Sequence, residues 1–177
     1  LKLTSGTLLT EKTDGTGAIF TLSPDAAGTI TLPDGSVLTF SNVEEIRVGD
    51  IFKPVVTSYD TSSTADTITG DVGNNKLFGW GGNDTLYGGD HEDTLYGGSG
   101  NDTLQGGLGI DILYGGMGND RVFDDNGDTT AYGGSGNDVM GGGVGYAVLY
   151  GESGNDTLIG AEFGTTMDGG EGMDRLF

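Results

Sequence analysis

The chain has no cysteine, so no disulfide staples it and no thiolate can hold a metal. It has no apolar run near the ~18 residues of a membrane-spanning helix, and no signal peptide is recognisable at its start. Basic residues are scarce: seven Lys and Arg stand against 27 Asp and Glu, a formal net charge of -20. That imbalance argues against nucleic acid and anionic membrane surfaces as partners, and for cations. Neither an HExxH zinc motif nor a G-x-S-x-G nucleophile elbow occurs. Ser99, Ser135 and Ser153 sit in glycine-rich turns with no histidine placed to activate them. Those turns also carry aspartate where a phosphate would need backbone N–H groups and a lysine. Catalysis within this chain is not expected.

What is abundant is glycine, with 37 residues in 177. High charge with only 34% apolar residues is the composition of a disordered chain, unless a repeat hides a fold that composition misses. Residues 1–60 and 61–177 differ in kind. The first part holds six glycines, four basic and eight acidic residues; the second holds 31 glycines, three basic and nineteen acidic residues. The boundary falls near Tyr59-Asp60-Thr61-Ser62-Ser63-Thr64.

Residues 1–60 read as short strands and turns. Ala18–Leu22, Thr29–Leu32 and Val37–Phe40 carry β-branched and aromatic residues in partial alternation. Pro33-Asp34-Gly35 is a turn signal between two of them, and Asn42–Arg47 admits a helical reading of about one turn.

Residues 61–177 fall into thirteen rows of nine without an insertion. The eighth position is apolar in all thirteen rows, from Ile68, Leu77 and Leu86 to Leu158, Met167 and Leu176. The first position is glycine in eleven rows, the fourth in ten, and the sixth is aspartate in nine. Glycines in the first half of a row allow positive φ and close backbone approach, so that half is a turn. The last three residues, such as Thr85-Leu86-Tyr87, point out, in and out as a very short strand. Stacked at ~4.8 Å, such strands build a parallel sheet. Two rows then make one coil of eighteen residues, with a strand on each side and a turn at each edge, and the stack is about 30 Å tall. The fold class is all-β: a two-sheet solenoid behind a β-rich lead-in.

Gly97-Gly98-Ser99-Gly100-Asn101-Asp102-Thr103-Leu104-Gln105 resembles the GGxGxDxUx nonapeptide of the RTX (repeats-in-toxin) family, and the resemblance runs through the whole array. It implies a right-handed parallel β-roll with calcium as the bound ion, held between turns stacked on one edge. It also implies that sixth-position carboxylates and carbonyls of the glycine-rich loop supply the oxygens that a hard cation prefers.

One edge presents Asp66, Asp84, Asp102, Asp120, Asp138, Asp156 and Asp174, with Asn83, Asn101, Asn119, Asn137 and Asn155 beside them. The loops expected to contribute carbonyls there are Gly97-Gly98-Ser99-Gly100, Gly115-Gly116-Met117-Gly118, Gly133-Gly134-Ser135-Gly136, Gly151-Glu152-Ser153-Gly154 and the row opening at Gly169. The opposite edge presents Asn75, Asp93, Asp111, Thr129, Ala147 and Thr165, so its ligand column stops at Asp111. The expectation is one fully loaded edge and one half-loaded edge, about six to eight ions in all. The gap from Asp66 is weaker, because Thr61-Ser62-Ser63-Thr64 lacks the loop glycines, and Asn75 can offer an amide oxygen. Asp124, Asp125 and Asp128 admit two readings, an improvised site or a solvated acidic loop. His91 reads as an exposed loop residue in αL geometry.

Phe78, Tyr96, Tyr114, Tyr132 and Tyr150 fall on one sheet. They read either as packing of the sheet surface or as an exposed ladder for a polysaccharide or an adjacent domain of the parent protein. Members of the family are typically exported by type I secretion, which implies a secreted or cell-surface location and folding once calcium is plentiful. The segment Gly28–Gly35 with Phe40–Ile46 looks similar to lead-ins of such arrays in marine and soil bacteria. Arg175-Leu176-Phe177 completes a strand with nothing after it, which reads as a piece of a longer protein.

Overall fold

A computed structural model of the chain describes residues 64–177 in full, together with the backbone of seven strands between Lys2 and Tyr59. No helix occurs among the described residues. The lead-in strands are β1 (Lys2–Ser5), β2 (Leu8–Thr13), β3 (Ala18–Leu22), β4 (Ala27–Thr31), β5 (Val37–Ser41), β6 (Glu45–Val48) and β7 (Val56–Tyr59). Their mutual pairings are antiparallel, as in β2–β3, β3–β6 and β4–β5. The helical reading of Asn42–Arg47 is corrected here: Glu45–Val48 is extended and pairs on both sides, with β3 and β7. Two strand ladders outweigh a single helical turn, whose nucleation cost is not recovered by one hydrogen bond. The turn signal at Pro33-Asp34-Gly35 and residues 61–63 lie outside the described residues.

The array begins at β8 (Thr67–Thr69) and β9 (Asn75–Gly81). β5 joins β8 antiparallel and β7 joins β9 parallel, so lead-in backbone continues both sheets. From there every pairing is parallel. β10 (Thr85–Asp90), β11 (Thr94–Ser99), β12 (Thr103–Met117), β13 (Arg121–Phe123) and β14 (Asn126–Ser135) follow. The last are β15 (Val139–Gly141), β16 (Tyr146–Ser153), β17 (Thr157–Ile159), β18 (Gly164–Asp168) and β19 (Arg175–Leu176). Leu86 sits against Leu104, Leu104 against Val122 and Leu95 against Leu113, a constant offset of eighteen residues. The chain is therefore a parallel β-solenoid of coils eighteen residues long.

Several strands exceed the three residues expected. β12 runs fifteen residues through a whole turn, because Leu108, Gly109 and Ile110 pair with Asn126, Gly127 and Asp128 of the next coil. Turns of equal length stacked in register keep their ladder bonds around the corner, so the bend does not interrupt the sheet.

The core is one side chain per row, with Ala147 added in the row of Leu149. Ile68, Leu77, Leu86, Leu95, Leu104, Leu113, Val122, Met140, Leu149 and Leu158 are fully buried, and Ala131 nearly so. Each buried leucine contributes about 2 kcal/mol, but a core one residue wide is thin for this length of chain. The column loosens at the last coil, where Leu176 is 46% exposed.

Glycine is needed where the chain turns back. Gly100 has φ +132°, and a methyl group there would collide with the Gly82 carbonyl of the coil below. His91 occupies the equivalent fourth position at φ 80° and is exposed, as its αL reading required. A non-glycine residue in that region carries about 1–2 kcal/mol of strain. Replacing His91 by glycine is expected to raise stability by about 1 kcal/mol, measurable by denaturant unfolding, whereas Gly100→Ala is expected to lower it by more.

Candidate metal centre

The sixth-position aspartates stand at the end of each turn, just before the strand, and all but the last are buried. Their backbone is spent on the neighbouring coil: the Asp84 carbonyl accepts from Thr103 N–H, and the Asp102 carbonyl from Arg121 N–H, each at 2.8 Å. Their side chains are spent the same way. The N–H of Asp84 donates to Asp102 Oδ1, that of Asp102 to Asp120 Oδ1 and that of Asp120 to Asp138 Oδ1, all at 2.8 Å. The series starts with Asp66 N–H donating to Asp84 and ends with Asp156 N–H donating to Asp174. One oxygen of each carboxylate is thus fixed by the coil below.

The other oxygen turns the opposite way. A methyl group at Gly97 would stand 2.5 Å from Asp102 Oδ2 and 2.6 Å from the Gly115 carbonyl of the coil above. Gly115 is flanked in the same manner by Asp120 Oδ2 at 2.6 Å and the Gly133 carbonyl at 2.5 Å, and Gly133 by Asp138 Oδ2 and the Gly151 carbonyl. Gly79, with Asp84 and Gly97, and Gly151, with Asp156 and Gly169, repeat the arrangement. Oδ2 of Asp102, Asp120, Asp138 and Asp156 is buried with no hydrogen-bond donor. The gaps at Asp102, Asp120, Asp138 and Asp156 are therefore cradles of inward-facing oxygens whose carboxylate Oδ2 meets no donor among the described residues. Among the described residues no three acidic or histidine side chains meet at one point. The donor set is one or two carboxylates completed by backbone carbonyls, which suits a hard cation with many oxygen ligands and excludes a site built on nitrogen or sulfur.

The third-position carbonyls of the predicted loops carry ladder bonds, which leave each a second lone pair. The carbonyls of Ser99, Met117, Ser135 and Ser153 already accept from Gly82, Gly100, Gly118 and Gly136 N–H groups in the coil below. The side chains of Ser99 and Ser153 are half-buried and those of Ser135 and Met117 exposed, Met117 to 61%. The second-position carbonyls of Gly98, Gly116 and Glu152 face Gly116, Gly134 and Gly170 of the coil above, as those of Gly118, Gly136 and Gly154 face the next fourth position. The asparagine column forms its own ladder of reversed polarity: Asn101, Asn119, Asn137 and Asn155 N–H groups donate downward to the Oδ1 of the preceding asparagine.

On the opposite edge Asn75 N–H donates to Asp93 Oδ1 and Asp93 N–H to Asp111 Oδ1. The aspartate column ends there, since Thr129 offers only a hydroxyl, 3.5 Å from the Asp111 carbonyl. Two more buried acids belong to this edge, Asp71 and one of the three acids that admitted an improvised site, Asp124. Asp71 holds Gly73 N–H and Asn75 Nδ2, and Asp124 accepts from Gly107 and Asp125 N–H. Both keep an Oδ2 without a donor. Asp71 was not singled out by the sequence, yet a signal was present: each acid replaces a loop glycine in a row whose sixth position is not aspartate.

Burial shifts these acids. Desolvation pushes Asp93 and Asp120 up to about 7, against backbone N–H bonds that lower them and neighbouring aspartates that raise them further. Asp111 and Asp138 rise to about 6 for the same leading reason, Asp111 with help from Asp124. Asp102, Asp124 and Asp156 are also raised by desolvation.

The aromatic column is a continuous stack. Phe78, Tyr96, Tyr114, Tyr132 and Tyr150 have successive ring centroids 4.7–5.1 Å apart and interplanar angles of 5–13°. Trp80 also stacks with Phe78, their ring centroids 5.9 Å apart at 26°. Each ring face between the ends is occupied by another ring, so edges and hydroxyls are what solvent meets.

The family model of the RTX calcium-binding nonapeptide repeat, four copies long, matches residues 60–95, 87–122, 96–131, 114–149 and 132–167. No curated protein matches the chain.

The raised values fix the pH response of the cation-free fold. A folded state that binds these protons more tightly than the unfolded chain is favoured below the ordinary carboxylate value of 3.8 and loses that support as pH rises through about 6 to 7. With a chelator present, melting temperature is expected to rise as pH is lowered from 8 towards 5. A thermal melt series that is flat, or falls, over this range would contradict the burial of the acids.

Proposed function

The chain belongs to the RTX calcium-binding nonapeptide repeat family, and from that premise we propose that its β-roll folds on calcium and stabilises the exported protein that carries it. The observation that carries this reading is the column of buried Oδ2 atoms without donors. Carboxylates about 4.8 Å apart repel by roughly 3 kcal/mol per neighbouring pair at an effective dielectric of 20. A handful of such pairs rivals the 5–15 kcal/mol of a typical domain, so the fully ionised column needs countercharge. Calcium supplies that charge and accepts six to eight oxygens in tolerant geometry.

In this reading Asp84, Asp102, Asp120, Asp138 and Asp156 present Oδ2 to successive gaps. The carbonyls of Gly97, Gly115, Gly133, Gly151 and Gly169 close each gap from above. Asp66 and Asp174 serve the terminal coils, and Asp93 and Asp111 the second edge, for about six to eight ions. Binding energy is then folding energy, because the unfolded chain has no preformed gap. Proteins with such repeats are typically exported from bacteria, where calcium is scarce before export and plentiful after it. The lack of cysteine suits passage as an unfolded chain. Among the described residues no helix is long and apolar enough to cross a membrane. The chain itself is proposed to carry no catalytic centre. A polysaccharide reading of the aromatic column is disfavoured by its geometry, since sugar rings stack on open aromatic faces and these are filled.

Circular dichroism during a calcium titration, beside a chelator control, tests the proposal: β-structure is expected to grow cooperatively with calcium. No gain would sink it. Asp120→Ala is expected to weaken two adjacent sites, since its carboxylate reaches two gaps, whereas Thr129→Ala is expected to leave the ion count unchanged in equilibrium dialysis.

A further inference from the structure

The second edge fails as an aspartate column at Thr129, but its oxygens do not stop there. Asp111 Oδ2 faces the gap above it, standing 2.6 Å from where a methyl group on Gly106 would sit. In the gaps of the first edge that position also meets the first-position carbonyl of the next coil. Here the next row begins with Asp124 instead of glycine, and no such carbonyl is among the atoms nearest Gly106. The Asp124 side chain reaches down to the lower coil instead, its Oδ1 taking the N–H of Gly107, next to Gly106, at 3.0 Å. Asp111 is fully buried and Asp124 is 3% exposed, and each keeps an Oδ2 with no donor.

We propose that Asp111 and Asp124 form an improvised site for a hard divalent cation between consecutive coils, in place of the sixth-position aspartate lost at Thr129. The inference rests on the calcium reading above and extends it to a gap where the repeat pattern predicts none. Two buried carboxylates facing one gap repel unless a cation separates them. The Gly109 carbonyl faces Gly127 across the same gap, as fourth-position carbonyls do elsewhere, and water completes the shell of such ions. The compensation recurs in the row of Asn75, where Asp71 replaces the second-position glycine and keeps a buried free Oδ2. The rows of Ala147 and Thr165 carry no such acid at their first or second position. Asp125 is exposed, and its carboxylate takes Gln105 Nε2 instead.

Native mass spectrometry of the full chain at saturating calcium counts ions singly. Asp124→Asn is expected to lose one ion, while Asp125→Asn and Thr129→Ala keep the parent count. Should Asp124→Asn fail to fold by circular dichroism, Asp124→Gly restores the residue usual at that position and is expected to lose the same ion. Adding Thr129→Asp to Asp124→Gly is expected to regain it. A full count in Asp124→Asn, or in Asp124→Gly, overturns the site. Loss at Asp102→Asn with no loss at Asp124 would overturn this inference alone, and a parent chain that binds no calcium would overturn both.

Discussion

Each sixth-position aspartate holds two gaps of the roll at once. From Asp84 to Asp156 on the first edge, its Oδ1 is tied to the backbone N–H of the aspartate one coil below, and its Oδ2 points into the gap above. A carboxylate can play both parts only if the coils stay in strict register, with eighteen residues in every coil and no insertion anywhere in the array. The same register forces glycine into the turn, where carbonyls of one coil press against the α-carbons of the next. It also sets the core at one apolar side chain per row. The thin core and the dense charge are two results of one spacing, and neither would be tolerable alone.

The neutral ladders work differently from the charged one. The asparagine N–H bonds run opposite in sense to the aspartate bonds, so successive turns are tied from both directions. The aromatic stack on one sheet adds ring–ring contact from the coil of Phe78 to that of Tyr150, and Lys76 lies 5.3 Å from the Phe78 and Tyr96 centroids. These contacts need no cation. They bias the chain towards the correct register, while the ionised acids oppose closure until their charge is neutralised. Terms of opposite sign thus act on the same coordinate, which is what the proposed folding on calcium requires.

The repeat made most of this legible. The period of nine, the buried eighth position and the two edges with unequal acid columns could all be read from residues alone, because in a solenoid neighbours in space are neighbours in the pattern. Three things were not legible. Strand lengths were underestimated, since periodicity marks where side chains alternate and not where stacked turns continue the ladder, as at Leu108–Ile110. The tyrosine column showed its spacing but not that its rings would lie face to face. Asp71 stands away from the aspartate column, at the second position of the row of Asn75, and the sixth-position pattern does not mark it. Asp124 was legible as one of three acids open to an improvised site, but not that it alone of them would be buried. Both sit where glycine is the rule. An acid at a glycine position is costly unless something holds it, and its appearance in a row without the usual aspartate is the physical signal.

The upper half of the second edge shows what the roll does when no charge is placed there. Ala147 takes the sixth position and is 3% exposed, joining the apolar core, with Ala161 packed against it. A methyl group on Gly142 would meet the β-carbons of both alanines, so that gap is closed by apolar contact where its counterparts hold oxygens. Apolar closure costs no desolvation of charge and depends on no ion. Asp111 and Asp124 stand at the border between the two solutions, where the edge passes from charged to apolar closure within one coil. The array is therefore graded along this edge: its N-terminal coils enclose buried carboxylates, and its C-terminal coils close by apolar packing.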